Sequence, residues 1–160
     1  TLWSAVEARA MLAAVAPHLD LFVVAERDAR AVLGFAEEGE ALARAIAARY
    51  GMPLVALTRG PSAPGLDLGA PGSEPGDLLL AGGAIHPAPR YPVEVVDRIG
   101  AGDSFVAGLI HGLLDGDFDL AIRLAAYAAA VGLATPGDIN YFAPEDLAAF
   151  YANTTGGLVR

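Results

Sequence analysis

Leu21 to Ala25 reads Leu-Phe-Val-Val-Ala, an unbroken apolar run of strand length. Alternate side chains of a strand point to opposite faces, so a run with no polar member needs both faces covered. Pro53 to Thr58 is a second run of the same kind. Between them the apolar period changes to that of a helix. Gly39 to Tyr50 places Ala41, Leu42, Ala45 and Ile46 on one side, and a shorter helix runs from about Asp28 to before Gly34. Alternation of buried strands with helices predicts an α/β fold, a mostly parallel sheet covered by helices.

The remaining elements follow from caps and breakers. Ser4 and Glu7 have the spacing of a capping box, which opens a helix through about Val15, closed near Pro17. Pro61 to Gly76, rich in Pro, Gly, Ser and Ala, reads as a loop or mobile hairpin. Leu78 to Ala81 and Ala84 to Pro87 read as strands around the Gly82-Gly83 turn, and Val93 to Val96 as another strand. Helices are expected from about Ala101 to Leu114 and from about Leu120 to Ala134, the latter apolar enough for the interior. A loop runs from Ala134 to Phe142, Pro144 starts a last helix, and the tail from Asn153 should fray.

Composition excludes several functions. With 54 % hydrophobic residues in 160, the chain can bury a core and is not disordered. A net charge of −9 argues against a general nucleic-acid binder. The longest apolar stretch, Leu120 to Ala134, is broken by Arg123 and too short for a bilayer, so no membrane partner is expected. No signal-peptide pattern opens the chain, and the lack of cysteine suits a cytoplasmic protein. All ten basic residues are arginine. Without lysine there is neither a Walker-A phosphate loop nor a pyridoxal Schiff base, so nucleotide phosphates must be held by backbone amides, arginine and a metal ion.

Gly100-Ala101-Gly102-Asp103 lies between an apolar segment and a helix. Glycines allow a tight turn and close approach of a ligand, and the first-turn amides of the helix then converge on one spot. An anion can be bound in such a turn without lysine. Asp103 is a helix-terminal cap on the plainer reading. If the amides face a phosphate, it is instead placed to accept a hydroxyl proton. A dinucleotide fingerprint fails because Phe105 stands where glycine is required, and Ser104 lacks the Gly-x-Ser-x-Gly frame of a nucleophile elbow. Arg98 could hold a phosphate or carboxylate in a two-point fork, or be a solvated surface residue. Arg59, ending the Pro53 to Thr58 run, is a weaker phosphate candidate. His18, His86 and His111 do not cluster and read as structural.

Val96-Asp97-Arg98-Ile99-Gly100-Ala101-Gly102-Asp103-Ser104-Phe105 with Ala107-Gly108 resembles the C-terminal signature of the PfkB (ribokinase-like) sugar kinases. Leu2-Trp3-Ser4 with Glu7-Ala8-Arg9, and Thr135-Pro136-Gly137-Asp138-Ile139-Asn140, look like the 2-keto-3-deoxygluconate kinase branch. The resemblance implies a three-layer ribokinase-like fold and ATP-dependent phosphorylation of a sugar or sugar acid. It implies that Gly100, Ala101 and Gly102 form an anion hole for the transferred phosphoryl group and that Asp103 is the base. Gly60 falls where the family's nucleotide loop begins. The family's Asn-x-x-Glu element, which organises Mg²⁺ and phosphates, aligns with Ala25-Glu26-Arg27-Asp28, so Glu26 and Asp28 become candidates to act on Mg²⁺ through water. The carbonyls of Asp97 and Ile99 match positions that bind a monovalent cation such as K⁺.

Relatives of this kind are about twice as long. The resemblance therefore implies that residues 1–160 are the C-terminal part of the kinase domain, with the sugar lid in an N-terminal half. That half, or a second copy, is an expected partner. The rival readings are another PfkB kinase, for ribose, fructose or a nucleoside, and a non-catalytic fragment that binds a nucleotide or a partner chain.

Overall fold

The computed structural model describes residues 3–59, 76–91 and 93–152. Gly60, the loop expected up to Gly76 and the tail from Asn153 lie outside them, Gly76 itself excepted. The chain forms two compact units, Thr1–Ser62 with Asp77–His86, and Ala63–Gly76 with Pro87–Arg160.

The first unit opens with helix α1, Ala5–Val15. Its capping box is made: the Glu7 amide donates to Ser4 Oγ at 3.3 Å, and the Ser4 amide donates to Glu7 Oε2 at 2.8 Å. A 3-10 turn, Ala16–His18, leads to strand β1, Leu21–Ala25. Helix α2, Glu26–Ala31, follows with Ala25 as its N-cap. It begins two residues before the expected Asp28, because Glu26 and Asp28 both stand in the first turn, where the helix dipole favours carboxylates. Helix α3, Gly39–Tyr50, stops at Gly51, whose φ of 68° is a left-handed C-terminal cap.

Strands β2 (Leu54–Thr58), β3 (Leu78–Ala81) and β4 (Ala84–Pro87) complete a sheet in the order β1-β2-β3-β4. β1 runs parallel to β2, with Leu21 opposite Leu54 and Ala25 opposite Thr58. β3 is antiparallel to β2, with Val55 opposite Leu80 and Leu57 opposite Leu78. The described strands are thus one parallel pair and an antiparallel edge. A parallel return needs a crossover element, and the Pro- and Gly-rich sequence after β2 carries no helical period. Gly82 and Gly83, at φ 56° and 81°, make the two-residue turn between β3 and β4. Arg44 of α3 holds that turn by donating to the Gly83 carbonyl at 3.0 Å.

Val55, Leu57, Leu78 and Leu80 share one face of the sheet and pack with Leu42, Ala43 and Ile46 of α3, Leu12 of α1, and Ala29 and Leu33. Leu42 and Ile46 are fully buried, each contributing about 1.5–3 kcal/mol. Ala56 and Leu79, on the opposite face, are equally inaccessible.

The second unit is built on α4, Ala101–Leu114, and α5, Phe118–Leu133. Asp117 caps α5 by accepting from the Leu120 amide at 3.0 Å. Gly108 and Gly112 bring α4 against α5: a β-carbon on Gly108 would lie 2.8 Å from the Leu124 carbonyl oxygen. Ile122, Leu124 and Ala125 of α5 are buried, as its apolar sequence requires. Tyr127 of α5 is the centre of an aromatic cluster, with ring centroids of Tyr91, Phe142 and Phe150 at 5.3, 5.6 and 5.2 Å. Phe150 belongs to the last helix, α6, Pro144–Ala152. Val93 to Val96 is not a strand, against expectation. The amides of Val96 and Asp97 both donate to the Leu133 carbonyl, at 2.8 and 3.2 Å, so the segment is fastened to the end of α5 rather than to a sheet edge. No helix among the described residues is long and apolar enough to cross a membrane.

Candidate active site

Helix α4 starts at Gly100, its N-cap, with φ 78° and ψ −11°. An L-residue there costs about 1–2 kcal/mol. A β-carbon would also sit 2.6 Å from the Asp138 carbonyl oxygen. Glycine is therefore required twice over. The first helical bond runs from the Ser104 amide to the Gly100 carbonyl at 2.9 Å. The amides of Ala101, Gly102 and Asp103 precede it and have no acceptor among the described residues. The positive end of the helix dipole lies at the same place.

Gly102 differs from Gly100. Its φ is not positive, and a β-carbon added to it would meet nothing within 4 Å. Neither backbone geometry nor packing demands glycine there, and the space above it is open to a ligand. Asp103 stands at the third helical position, exposed, and its carboxylate has no hydrogen-bond or ionic partner among the described residues. It does not cap the helix. A carboxylate with no partner among the described residues, next to such amides, can take the proton of a hydroxyl that attacks a phosphoryl group held by them.

The turn before α4 is fixed by Asp97. Its Oδ1 accepts from the amides of Arg98 at 2.7 Å and Ile99 at 3.1 Å, and its Oδ2 from Gly137 at 3.1 Å. These bonds, that to Ile99 foremost, hold its carboxyl below the usual Asp range. A depressed pKa means the contribution is complete above the unfolded-state value and is lost as pH falls through the folded one. The amide signals of Arg98, Ile99 and Gly137 should therefore titrate together, with a midpoint below the ordinary value of about 3.9. Separate midpoints, or one at the ordinary value, would break the clasp assigned to Asp97.

Sequence reasoning missed a second brace. Asn140 Nδ2 donates to Ser104 Oγ at 2.9 Å and to the Ala128 carbonyl at 3.0 Å, while its Oδ1 accepts from the Phe142 amide at 3.1 Å. Ser104 is buried, and a β-carbon at Gly132 would stand 3.0 Å from its Oγ. The brace joins the first turn of α4, α5 and the loop after α5. Only the Asn140 motif hinted at it in sequence.

Arg98 is exposed, two residues ahead of Gly100. Arg59 and Glu26 belong to the first unit and meet each other: Arg59 Nε lies 2.6 Å from Glu26 Oε2, with side chains only 16 % and 17 % exposed. Glu26 Oε1 accepts from the Gly39 amide at 3.1 Å, and the Arg59 amide donates to Asp77 Oδ1 at 2.6 Å. Asp28, 52 % exposed, leans on Arg27 at 3.2 Å. Glu26 is thus engaged by a cation and an amide, and Asp28 by the neighbouring Arg27. No group of three acidic or histidine side chains among the described residues could hold a metal.

The sequence pattern of the pfkB family carbohydrate kinases matches residues 1–146. The chain is 31 % identical over 147 residues to a 2-dehydro-3-deoxygalactonokinase of Haloferax volcanii, covering 91 % of this chain and 42 % of that protein. The crystal structure of a 2-dehydro-3-deoxygluconokinase from Thermotoga maritima superposes with a TM-score of 0.76 at 26 % identity, over 95 % of this chain and 47 % of that one. A Vibrio cholerae fructokinase, crystallised with fructose, ADP and calcium ion, shares the fold at a TM-score of 0.68 and 22 % identity, over 91 % of this chain and 44 % of its own. The chain spans less than half the length of each. With the signature running through Gly100 to Asp103 inside the matched range, the chain belongs to the PfkB family of carbohydrate kinases.

Proposed function

We propose that this chain supplies the phosphoryl-transfer part of an ATP-dependent kinase for a 2-keto-3-deoxy sugar acid, 2-keto-3-deoxygluconate first, giving the 6-phosphate. The observation that carries the reading is the Asp103 carboxylate, unpartnered among the described residues, on the same helical turn as three amides that have no acceptor among them. In this reading Asp103 accepts the proton of the attacking hydroxyl. The amides of Ala101, Gly102 and Asp103 hold the charge of the phosphoryl group in transit. Magnesium enters with ATP as part of the substrate. Positioning and electrostatics supply most of the acceleration in such transfers. Names of relatives support a sugar acid: the Haloferax and Thermotoga proteins are kinases for deoxy-keto acids of two sugar configurations. The remaining sugar contacts lie, in this proposal, on polypeptide that completes the domain.

Arg98 is the group in this chain suited to the substrate carboxylate, through its planar fork. The test is a turnover assay of the completed kinase with ATP against 2-keto-3-deoxygluconate, 2-keto-3-deoxygalactonate, fructose and ribose. The sugar acids should be preferred. Arg98→Lys should raise KM for them about tenfold, a charged contact weakened by roughly 1–3 kcal/mol, and leave the poor turnover of fructose unchanged. Preference for a neutral sugar would overturn the substrate class. An unchanged KM would remove Arg98 from the site.

A further inference from the structure

The first unit contains six arginines, at positions 9, 27, 30, 44, 49 and 59. Four of them form ion pairs, with Asp28, Glu38, Glu40 and Glu26. The two that form none among the described residues, Arg9 and Arg49, line the same cleft. In a chain with 19 carboxylates and ten cations, two arginines lining one cleft with no ion pair among the described residues are not the product of scarcity.

Both are held in place by main chain instead. Val32 and Leu33 follow the end of α2, where helix carbonyls lack intrahelical donors. Arg9 Nη1 donates to the Val32 carbonyl at 3.3 Å, and Arg49 Nη1 to the Leu33 carbonyl at 3.3 Å. Gly34 passes close beneath Arg9, so that a β-carbon there would be 3.2 Å from Nη1. The Arg49 guanidinium stacks on the Phe35 ring at 3.7 Å from its centroid. A guanidinium has five N–H donors, and one carbonyl engages one of them. Neutral carbonyls and a ring orient these cations without cancelling their charge.

The cleft has a volume of about 500 Å³ and is lined by Arg9, Ala13, Ala16, Pro17, Arg49 and Tyr50. Its size is that of a small-molecule site. Two forked cations call for an anion with oxygens on several sides, carrying close to two charges. A phosphomonoester has three such oxygens and a charge of about −1.5 to −2 at neutral pH. Ala13, Ala16 and Pro17 offer a short apolar wall for an organic body, and the Tyr50 side chain adds a polar tip.

We propose that this cleft is a binding site for a small phosphomonoester, such as a sugar phosphate. It shares no residue with the Gly100 to Asp103 turn and does not depend on the kinase reading. The test is amide NMR of the chain titrated with glucose 6-phosphate, inorganic phosphate and glucose. Glucose 6-phosphate should shift the signals of Val32 to Phe35 and of Tyr50, and any binding at Gly100 to Asp103 is seen separately in their own signals. Inorganic phosphate should bind roughly tenfold more weakly, lacking the organic body, and glucose should shift nothing. Arg9→Gln with Arg49→Gln should weaken glucose 6-phosphate by at least about tenfold at these signals. If that double variant melts early, the single changes Arg9→Lys and Arg49→Lys keep a charge and a carbonyl donor but lose the fork, and each should still weaken binding several-fold. Inorganic phosphate binding as tightly as the sugar phosphate would overturn the phosphomonoester assignment. Shifts with glucose alone, or unchanged affinity in the arginine variants, would overturn the anion site.

Discussion

Asp103→Asn should leave a folded kinase that binds ATP and does not turn over. Asparagine has the same size, and the native carboxylate makes no hydrogen bond or ion pair among the described residues that it would have to replace. The only structural loss is the favourable meeting of a carboxylate with the helix dipole, about 0.3–1 kcal/mol. Melting should therefore barely move. ATP should bind as well or slightly better, because the amides of Ala101 to Asp103 remain and a like charge near the phosphate is gone. Turnover should fall by roughly 10²–10⁴-fold, the usual contribution of a general base. Steady-state kinetics of the completed kinase, with melting and ATP titration as controls, separate the outcomes. A stable variant with near-normal turnover would remove the catalytic role from Asp103 and return it to an idle surface acid.

Local signals in the sequence placed most elements, because their ends are set by chemistry within a few residues. Ser4 with Glu7 begins α1, Gly51 ends α3, Gly100 begins α4 and Pro144 begins α6. The errors lie where distant partners decide. Val93 to Val96 has the composition of a strand, but what it meets is the Leu133 carbonyl, almost forty residues on. The contact between Arg59 and Glu26 was likewise not foreseen. Their meeting follows from register: Ala25 stands opposite Thr58 in the parallel pair, so the next residue on each strand lies beside its counterpart. Neither chain position carries that information alone. The Gly100 to Asp103 turn was legible for the opposite reason. Its geometry is written into consecutive residues, with Gly100 as N-cap and the first-turn amides of α4 following directly. The Arg9 and Arg49 cleft, drawn from two helices and the loop after a third, left no mark in the sequence.

Two glycines of α4 should respond to alanine in opposite ways. Gly112 faces α5, where a β-carbon would overlap the Ala121 main chain and lie 2.9 Å from its Cβ. Backbone cannot move aside as a flexible side chain does. Gly112→Ala must push the two helices apart or tilt them, at a cost of about 1–3 kcal/mol or more, as overpacking of a close contact does. Gly102 faces open space. With helical backbone and no clash, Gly102→Ala should stabilise the fold by up to about 1 kcal/mol, the helix preference of alanine over glycine. Its methyl group would project into the space beside the first-turn amides, where the proposed reaction brings the phosphoryl group. The completed kinase should then lose turnover, by at least about tenfold if that approach is narrowed enough to cost 1.4 kcal/mol in the transition state. One variant thus loses stability while its unpaired amides stay intact, and the other gains stability and loses activity. Thermal melts of the chain and kinetics of the kinase measure both. If Gly102→Ala is as active as the native protein, the glycine is not there to admit a phosphoryl group, and the anion-hole role of this turn fails with it.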